Sequence, residues 1–117
     1  MVNEVILTGR LVKNPTVELL PNGAEVVKFS IAINKKFRDK NNNWKEITDF
    51  FDVKVFGKLT EKAKSLKKGY LVNIEGRLRQ EKWTSRTGQK KTDIKVIARK
   101  INIIAKPKTI KTEKIAS

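Results

Sequence analysis

The 117-residue chain contains no cysteine and no histidine. The absence of cysteine excludes disulfides, thiol catalysis and zinc–thiolate sites, and the absence of histidine removes the most common general base and metal ligand. No apolar run approaches the roughly 18 residues that a membrane-spanning helix needs. The first residues, Met1 to Glu4, lack the basic start and apolar stretch of a signal peptide. These absences predict a cytoplasmic protein without structural disulfides.

Acidic residues are scarce relative to basic ones. The chain has 12 Asp and Glu against 27 Lys and Arg, a net charge of +15 at pH 7. Its hydrophobic fraction of 38% is sufficient for a core, and at this length we expect one domain. The positive charge favours nucleic acid or an anionic membrane as partner. Because no basic amphipathic helix with a large apolar face is visible, nucleic acid is the favoured partner.

Hydrophobic alternation predicts five strands, over residues 2–12, 25–34, 44–56, 70–82 and 91–104. Turn signals lie at residues 20–23 and 85–88, and a change of parity predicts a bulge or bend near residues 96–98. Residues 58–68 change to helical spacing, since Leu59, Ala63 and Leu66 form one apolar stripe, and Gly69 is predicted to cap this helix. Five strands with one helix between the third and fourth is the order of the all-β OB-fold, a Greek-key barrel.

The third predicted strand has two different faces. Phe51, Val53 and Val55 alternate with polar residues and are predicted to face the core. The same register places Phe50 and Phe56 on the other face, among basic residues. Trp83 shares the parity of two arginines on the fourth strand. Exposed rings among cations are typical of surfaces that bind unpaired nucleic acid.

The chain resembles the bacterial single-stranded DNA-binding proteins over residues 1–104. The resemblance is carried by stretches whose order and spacing match that family: residues 3–11, 21–23, 29–32, 56–59, 67–69 and 74–79, and Lys82-Trp83 ahead of Gly88. It implies a homotetramer, or a homodimer, that binds and protects single-stranded DNA in replication, recombination and repair without sequence specificity. A primosome accessory protein or an RNA-binding OB-fold protein is the alternative.

The resemblance also implies the residues of the site. Bases are expected to stack on Phe37, Phe50, Phe56 and Trp83. Phosphates are expected to be neutralised by basic residues near that aromatic path: Arg10, Lys35, Arg38, Lys54, Lys68, Arg77, Arg79, Lys82 and Arg86.

Structural roles compete with these assignments. Phe50, Phe56 and Trp83 could instead pack against a neighbouring subunit or the long hairpin. Phe37 has the parity of core residues, so only a bulge or a strand end would turn it outward. Trp44 either contacts nucleic acid or caps its loop.

Catalysis is not expected, and neither a metal nor a cofactor is predicted. The carboxylates near the strands are Glu46, Asp49, Asp52 and Asp93. Glu46 and Asp52 share a face but are separated by about 20 Å at roughly 3.3 Å per residue, and Asp49 and Asp52 have opposite parity. Local spacing therefore brings no pair together as ligands for one metal.

Residues 105–117 are predicted to form a flexible basic tail outside the domain of residues 1–104. In this segment Glu113 is the only acidic residue, and lysines lie at positions 106, 108, 111 and 114. Main cellular members of the resembled family usually end in an acidic tip. Recruitment of proteins through such a tip is not expected here, and the tail is predicted to add phosphate contacts.

Overall fold

The computed structural model describes residues 1–107. It contains six strands: β1 (Val5–Leu11), β2 (Thr16–Leu19), β3 (Glu25–Arg38), β4 (Trp44–Val55), β5 (Leu71–Thr84) and β6 (Lys90–Ala105). A 3₁₀ turn (Gly57–Leu59) and the short helix α1 (Thr60–Lys64) separate β4 from β5. No helix within residues 1–107 has the length and apolar character needed to cross a membrane.

Five of the strands close into a barrel. The sheet order is β1-β5-β6-β4-β3-β2, and a further pairing of β1 with β3 joins the two sides. All pairings are antiparallel except that of β4 with β6. The predicted OB-fold, with its helix between the third and fourth barrel strands, is confirmed.

The short strand β2 was not predicted. It pairs with the start of β3, from Thr16 opposite Lys28 to Leu19 opposite Glu25, just beyond the point where β1 leaves the same edge. All four of its residues are exposed. Its residues Thr16, Val17, Glu18 and Leu19 alternate polar and apolar, but four residues are the shortest alternation that indicates a strand. They also lie directly between Asn14-Pro15 and the turn at residues 20–23, which favour a loop.

The core lies inside the barrel and is built from the predicted inward positions. Val27 and Ile31 of β3 and Val53 and Val55 of β4 are almost completely buried. They pack with Val72 and Ile74 of β5, Ile101 of β6, and the helix-side residues Ala63 and Leu66. The apolar stripe predicted on the helix therefore faces the core.

The helix is shorter than the predicted 58–68. Beyond Lys64 the backbone tightens, since the amide of Leu66 donates to the carbonyl of Ala63. Gly69 has the predicted positive φ of +88°, but its amide donates to the carbonyl of Leu11 and not to a helical residue. It therefore joins the helix-side loop to β1 instead of capping the helix.

The chain after β6 also contacts this loop. β6 ends at Ala105, the ammonium of Lys106 lies 5.6 Å from the centre of the Tyr70 ring, and Pro107 packs beside Gly69. The rest of the predicted tail, residues 108–117, lies outside the described residues.

The predicted change of parity in β6 arises from a bulge. Glu75 pairs with Lys100 but Gly76 pairs with Ala98, so Arg99 is an extra residue in β6, one position beyond the predicted stretch. This bulge returns Ile101 to the core. Gly76 lies under the distortion, where an added Cβ would be 2.0 Å from the carbonyl oxygen of Ile97.

Gly76→Ala is therefore expected to lower the free energy of unfolding by at least about 2 kcal/mol, because the backbone of β6 has to move. Urea unfolding monitored by circular dichroism measures the change. Gly23→Ala is the control, since a Cβ there meets nothing within 4 Å and the cost is limited to about 1–2 kcal/mol of backbone strain at positive φ. Equal losses in the two variants would contradict the proposed clash.

Candidate nucleic-acid interface

The hairpin of β3 and β4 has an uninterrupted register. Its residue pairs run from Val27 opposite Val55 to Arg38 opposite Trp44 without a bulge, so each strand alternates strictly between two faces. We define the outer face as the side of β4 that carries Phe50, Asp52 and Lys54, away from the core residue Val53. Phe56 follows in an extended conformation, with φ −121° and ψ 161°, and continues the alternation onto this face.

The rings on this face are open to solvent. Phe50 is 63% exposed and Phe56 is 44% exposed, whereas their neighbour Val55 is fully buried. Trp83 on β5 is 50% exposed. Within residues 1–107, none of these three rings is buried by its neighbours. Each therefore retains an accessible π surface.

Side-chain contacts connect β4 to the surface of Trp83. On β5 and β6 the register places Arg77 beside Ile97, Arg79 beside Lys95, Glu81 beside Asp93 and Trp83 beside Lys91 on one side of the sheet. Lys95 Nζ lies 2.8 Å from an Asp52 carboxylate oxygen, and Lys54 forms an ion pair with Glu81. The outer face therefore continues from β4 across β6 to β5, and it carries Phe50, Phe56 and Trp83 together.

Arg10 extends the outer face on its other side. It lies opposite Ala32, which in turn lies opposite Phe50, so Arg10 and Phe50 are separated by one small side chain. The Arg10 guanidinium donates to the carbonyl of Gly69 at 3.1 Å. This contact holds the guanidinium beside the loop that precedes β5, so Arg10 places a cation at the edge of the outer face.

A groove of about 490 Å³ runs over the outer face. Its walls are the loop after β1, the outer side chains of β3 and β4, and Lys95: among them Lys13, Asn14, Lys28, Ser30, Phe50 and Asp52. Lys13, Asn14 and Lys28 were not among the predicted site residues. Lys28 faces the groove by the alternation of β3, whereas Lys13 and Asn14 reach it because the chain turns between β1 and β2.

Several predicted residues lie away from the outer face. Phe37 and Lys35 share the opposite face of the hairpin, with Lys45 and Ile47 as their cross-strand partners. No bulge turns Phe37 outward, and its ring is partly buried. Beyond Ile33, however, this side of the hairpin is not covered by the barrel, since residues 40–50 are all exposed.

The remaining predicted cations are spread around this surface. Lys82 faces the opposite side of the β5–β6 sheet from Trp83, because it alternates with it. Lys68 lies in the loop after α1, where its backbone amide donates to Asn14 at 2.8 Å. Arg38 and Arg86 lie at the ends of the two long hairpins. The structure thus gathers Arg10, Lys54, Arg77 and Arg79 with the rings and leaves the others at the periphery.

Acidic side chains on the outer face were not predicted as part of the site. Lys95 lies between two carboxylates, 2.8 Å from Asp52 and 2.9 Å from Asp93. Asp52 also accepts a hydrogen bond from the Ser30 hydroxyl. Hydrogen bonds from Lys95 and then Ser30 lower the pKa of Asp52 from its ordinary 3.8, and the hydrogen bond to Asp52 raises the pKa of Lys95. Both groups are charged at neutral pH.

This arrangement limits what the outer face can do chemically. Lys54 and Lys95 are neutralised by neighbouring carboxylates. The unpaired positive charge of the outer face therefore comes from arginines and from lysines at the borders of this face. Residues 1–107 contain no group of three or more acidic side chains placed to hold a metal ion. The geometry offers flat apolar rings within a cationic surround, which suits binding.

Comparison with known proteins agrees with this geometry. Residues 2–104 match the single-strand binding protein family. The single-stranded DNA-binding protein of Aquifex aeolicus is 42% identical over 109 residues, 92% of this chain and 74% of that protein. The one from Wolinella succinogenes is 37% identical, covering 89% of this chain and 65% of that protein.

Solved structures give the same result. The single-strand binding protein of Plasmodium falciparum, determined in complex with single-stranded DNA, superposes with a TM-score of 0.78 at 31% identity, covering 89% of this chain and 94% of that one. A deletion mutant of the Thermus aquaticus single-stranded DNA-binding protein gives a TM-score of 0.78 at 28% identity, over 92% of this chain and 52% of that one.

Fold and surface together define an OB-fold domain with an exposed aromatic and basic face. The chain belongs to the single-strand binding protein family.

The lowered pKa of Asp52 makes a prediction about acid stability. A carboxyl whose pKa is lower in the folded state contributes stability above its unfolded pKa and loses it as the pH falls through the folded pKa. Since the Asp52 side chain is 52% exposed, we expect Asp52→Asn to cost under about 1 kcal/mol at pH 7. The difference from wild type should shrink as the pH falls below 3.8, the ordinary pKa of an aspartic acid, and should vanish once the pH is below the lowered pKa of Asp52 in the folded protein.

Urea unfolding at pH 7, 5 and 3 tests this expectation. Glu61→Gln is the control, because Glu61 lies on α1 with its side chain 80% exposed and should leave stability almost unchanged. A difference between wild type and Asp52→Asn that persists undiminished at pH 3 would show that the ion pairs with Lys95 are not its source.

Proposed function

We propose that the protein binds single-stranded DNA without sequence specificity and without catalysis. The observation that carries the proposal is the set of three exposed rings, Phe50, Phe56 and Trp83, on one continuous outer face. Family membership and the names of the relatives support it. Protection of single strands during replication, recombination and repair in the cytoplasm is the corresponding cellular role.

Base stacking explains both the binding and its selectivity. Stacking on Phe50 or Trp83 requires a base with one free face. Duplex DNA does not provide such a base, because neighbouring bases occupy both faces. Each stacked base contributes about 1–3 kcal/mol, largely independent of its identity, because every base has a π face. Selectivity for single strands therefore follows from the contact itself.

Phosphate neutralisation supplies the remaining affinity. Arg10 at one border of the outer face and Arg77 and Arg79, on the same side of β5 as Trp83, are the main cations of this path. Lys68, Lys82, Arg38 and Arg86 serve a strand that continues around the barrel and along the hairpins. Each neutralised phosphate releases counterions and steepens the salt dependence, with a slope near −0.7 per contact for single strands. The lysines of residues 105–117 are proposed to add to this term.

Phe37 and Lys35 are proposed to bind the DNA strand from the other side of the β3–β4 hairpin. Their side chains lie on the face opposite Phe50, where the hairpin extends past the barrel. A strand that reaches both must pass around the edge or tip of the hairpin. Wrapping of the DNA around the protein is compatible with that geometry.

Assembly into a homotetramer, with a homodimer as the smaller option, is part of the proposal. Within residues 1–107, β3 pairs with β1 only at Arg10 and Leu11, so one edge of β1 from Val5 to Thr8 has no strand beside it. Ile6 on this strand is 66% exposed. An open strand edge with an exposed apolar residue is suited to pairing with a second copy.

Two alternatives keep the fold and change the role. A primosome accessory protein or an RNA-binding protein would use the same stacking surface, because stacking does not distinguish deoxyribose from ribose. Specific recognition of RNA needs contacts to the 2′-hydroxyl. Binding to DNA and RNA of equal length therefore separates these possibilities.

The central experiment is a competition between oligo(dT), oligo(rU) and duplex DNA of equal length. With two stacked bases lost in the duplex, single-stranded DNA should bind at least about a hundredfold tighter. Fluorescence titrations at one fixed salt concentration, together with native mass, measure the affinity and the assembly. Equal affinity for single strands and duplex would leave only generic charge attraction and would refute the proposal.

Trp83→Ala removes one stacking platform. We expect oligo(dT) binding to weaken by about 1–3 kcal/mol, while circular dichroism and thermal unfolding stay close to wild type because the ring is half exposed. Trp83→Phe is the matched control, since it retains a smaller π face and should lose less. An unchanged affinity for Trp83→Ala would assign Trp83 a structural role instead.

A further inference from the structure

The tip of the β3–β4 hairpin carries an aromatic residue that is as exposed as Phe50. Trp44, the first residue of β4, is 64% exposed. Burial therefore does not account for a large apolar side chain at this position. A tryptophan at the turn can have a purely structural role in the hairpin. The contacts of its ring show whether a face of the indole is left for a ligand.

One side of the ring is occupied by a cation. The guanidinium carbon of Arg38, its cross-strand partner, lies 4.8 Å from the ring centre, within range for a cation–π contact. Arg38 is held in turn by donating to the side-chain oxygen of Asn42 at 2.9 Å. The ring is thus fixed against a planar group on one side.

The turn beneath this pair is ordered by its own hydrogen bonds. One carboxylate oxygen of Asp39 accepts from the backbone amides of Asn41 and Asn43, both at 2.9 Å. Asn42 has a positive φ of 63°, a conformation that asparagine tolerates better than most residues. Because these contacts set the position of the tip before any ligand arrives, little ordering remains to be done on binding.

Trp44 and Phe50 belong to the same outer face. They have the same parity on β4, and the register between them is unbroken, so about 20 Å separates them at roughly 3.3 Å per residue. The side chains between them on this face are small or polar, including the hydrogen-bonded pair Thr48 and Asn34. A hollow of about 440 Å³ beside the ring is lined by Lys36, Lys45 and Glu46.

We propose that Trp44, backed by Arg38, is a further base-stacking site that extends the path of the strand from Phe50 to the tip of the hairpin. The proposal rests on the proposed function of the outer face. Arg38 occupies one side of the indole, a base occupies the other, and Lys36, which is on the same face of the hairpin as Trp44, lies beside the path of the phosphates.

The chain allows this site to be observed directly, because Trp44 and Trp83 are its two tryptophans. In Trp83→Phe, Trp44 is the sole tryptophan, and its fluorescence should be quenched when oligo(dT) of about 15 nucleotides, near the upper end of an OB-fold site, is added to saturation. In Trp44→Phe the remaining signal reports Trp83. Saturation removes the effect of any loss of affinity in the reporter variants.

Affinity provides the second readout. Trp44→Leu keeps apolar bulk but removes the π face, and we expect it to weaken binding of the same oligonucleotide by about tenfold, within the range for one stacked base. Trp44→Phe retains a ring and should bind more tightly than Trp44→Leu. Thermal unfolding of the two variants should agree, which excludes a loss of folding as the cause.

The outcomes separate this inference from the proposed function. If wild type fails to prefer single strands, the proposed function itself is wrong. If wild type binds single strands and Trp83 is quenched, but Trp44 is not quenched and Trp44→Leu binds normally, only the tip site is overturned. A change of native mass in Trp44→Leu with unchanged DNA affinity would instead assign Trp44 to a subunit contact and also overturn it.

Discussion

The unbroken pairing of β3 with β4 is the constraint on which the rest of the molecule depends. Along β4, Val53 and Val55 reach the core while Phe50 and Lys54 point away from it. A shift of the register by one residue would bury the charges and expose the core. The burial of Val27 and Ile31 on β3 therefore also fixes where the exposed rings lie. The functional surface and the stability of the barrel are two consequences of the same alternation.

The outer face is not uniformly basic, in spite of the charge of the whole chain. Asp52, Glu81 and Asp93 contact the ammonium groups of Lys54 and Lys95. The pair of Lys54 with Glu81 joins β4 to β5, and the pair of Asp52 with Lys95 joins β4 to β6, so these contacts link the strand of Phe50 to the strand of Trp83 and to the strand between them. We infer that part of the basic residues serves to hold the aromatic surface together, while Arg10, Arg77 and Arg79 remain available for phosphates. Net charge alone would not distinguish these two groups.

Much of the candidate site could be predicted because strand parity is a local property. The outward positions of Phe50, Phe56 and Trp83 followed from the residues beside them, and the structure places all three on one exposed face. The positions of Phe37 and Lys82 show the limit of that reasoning. Parity puts each on the side opposite the main rings, and the structure has no bulge in either place to change this. Their role in binding stays a prediction that depends on how far a strand wraps. The strand β2 escaped prediction because its four alternating residues lie between two turn signals, and α1 was predicted too long because its lysine-rich end retains helical spacing after the backbone has tightened.

The sequence by itself determined the strands of the barrel, the inward and outward side of each, and the turns at Gly23 and Gly88, because neighbouring residues along one chain segment decide these features. Tertiary structure alone decided which outward residues meet. Asp52 and Lys95 are far apart in sequence and showed no common spacing, yet they are in contact, because β4 and β6 become parallel neighbours in the closed barrel. Arg10 likewise reaches the border of Phe50 only through the pairing of β1 with β3. Contacts between distant strands depend on closure of the barrel, and no local period in the chain carries that information.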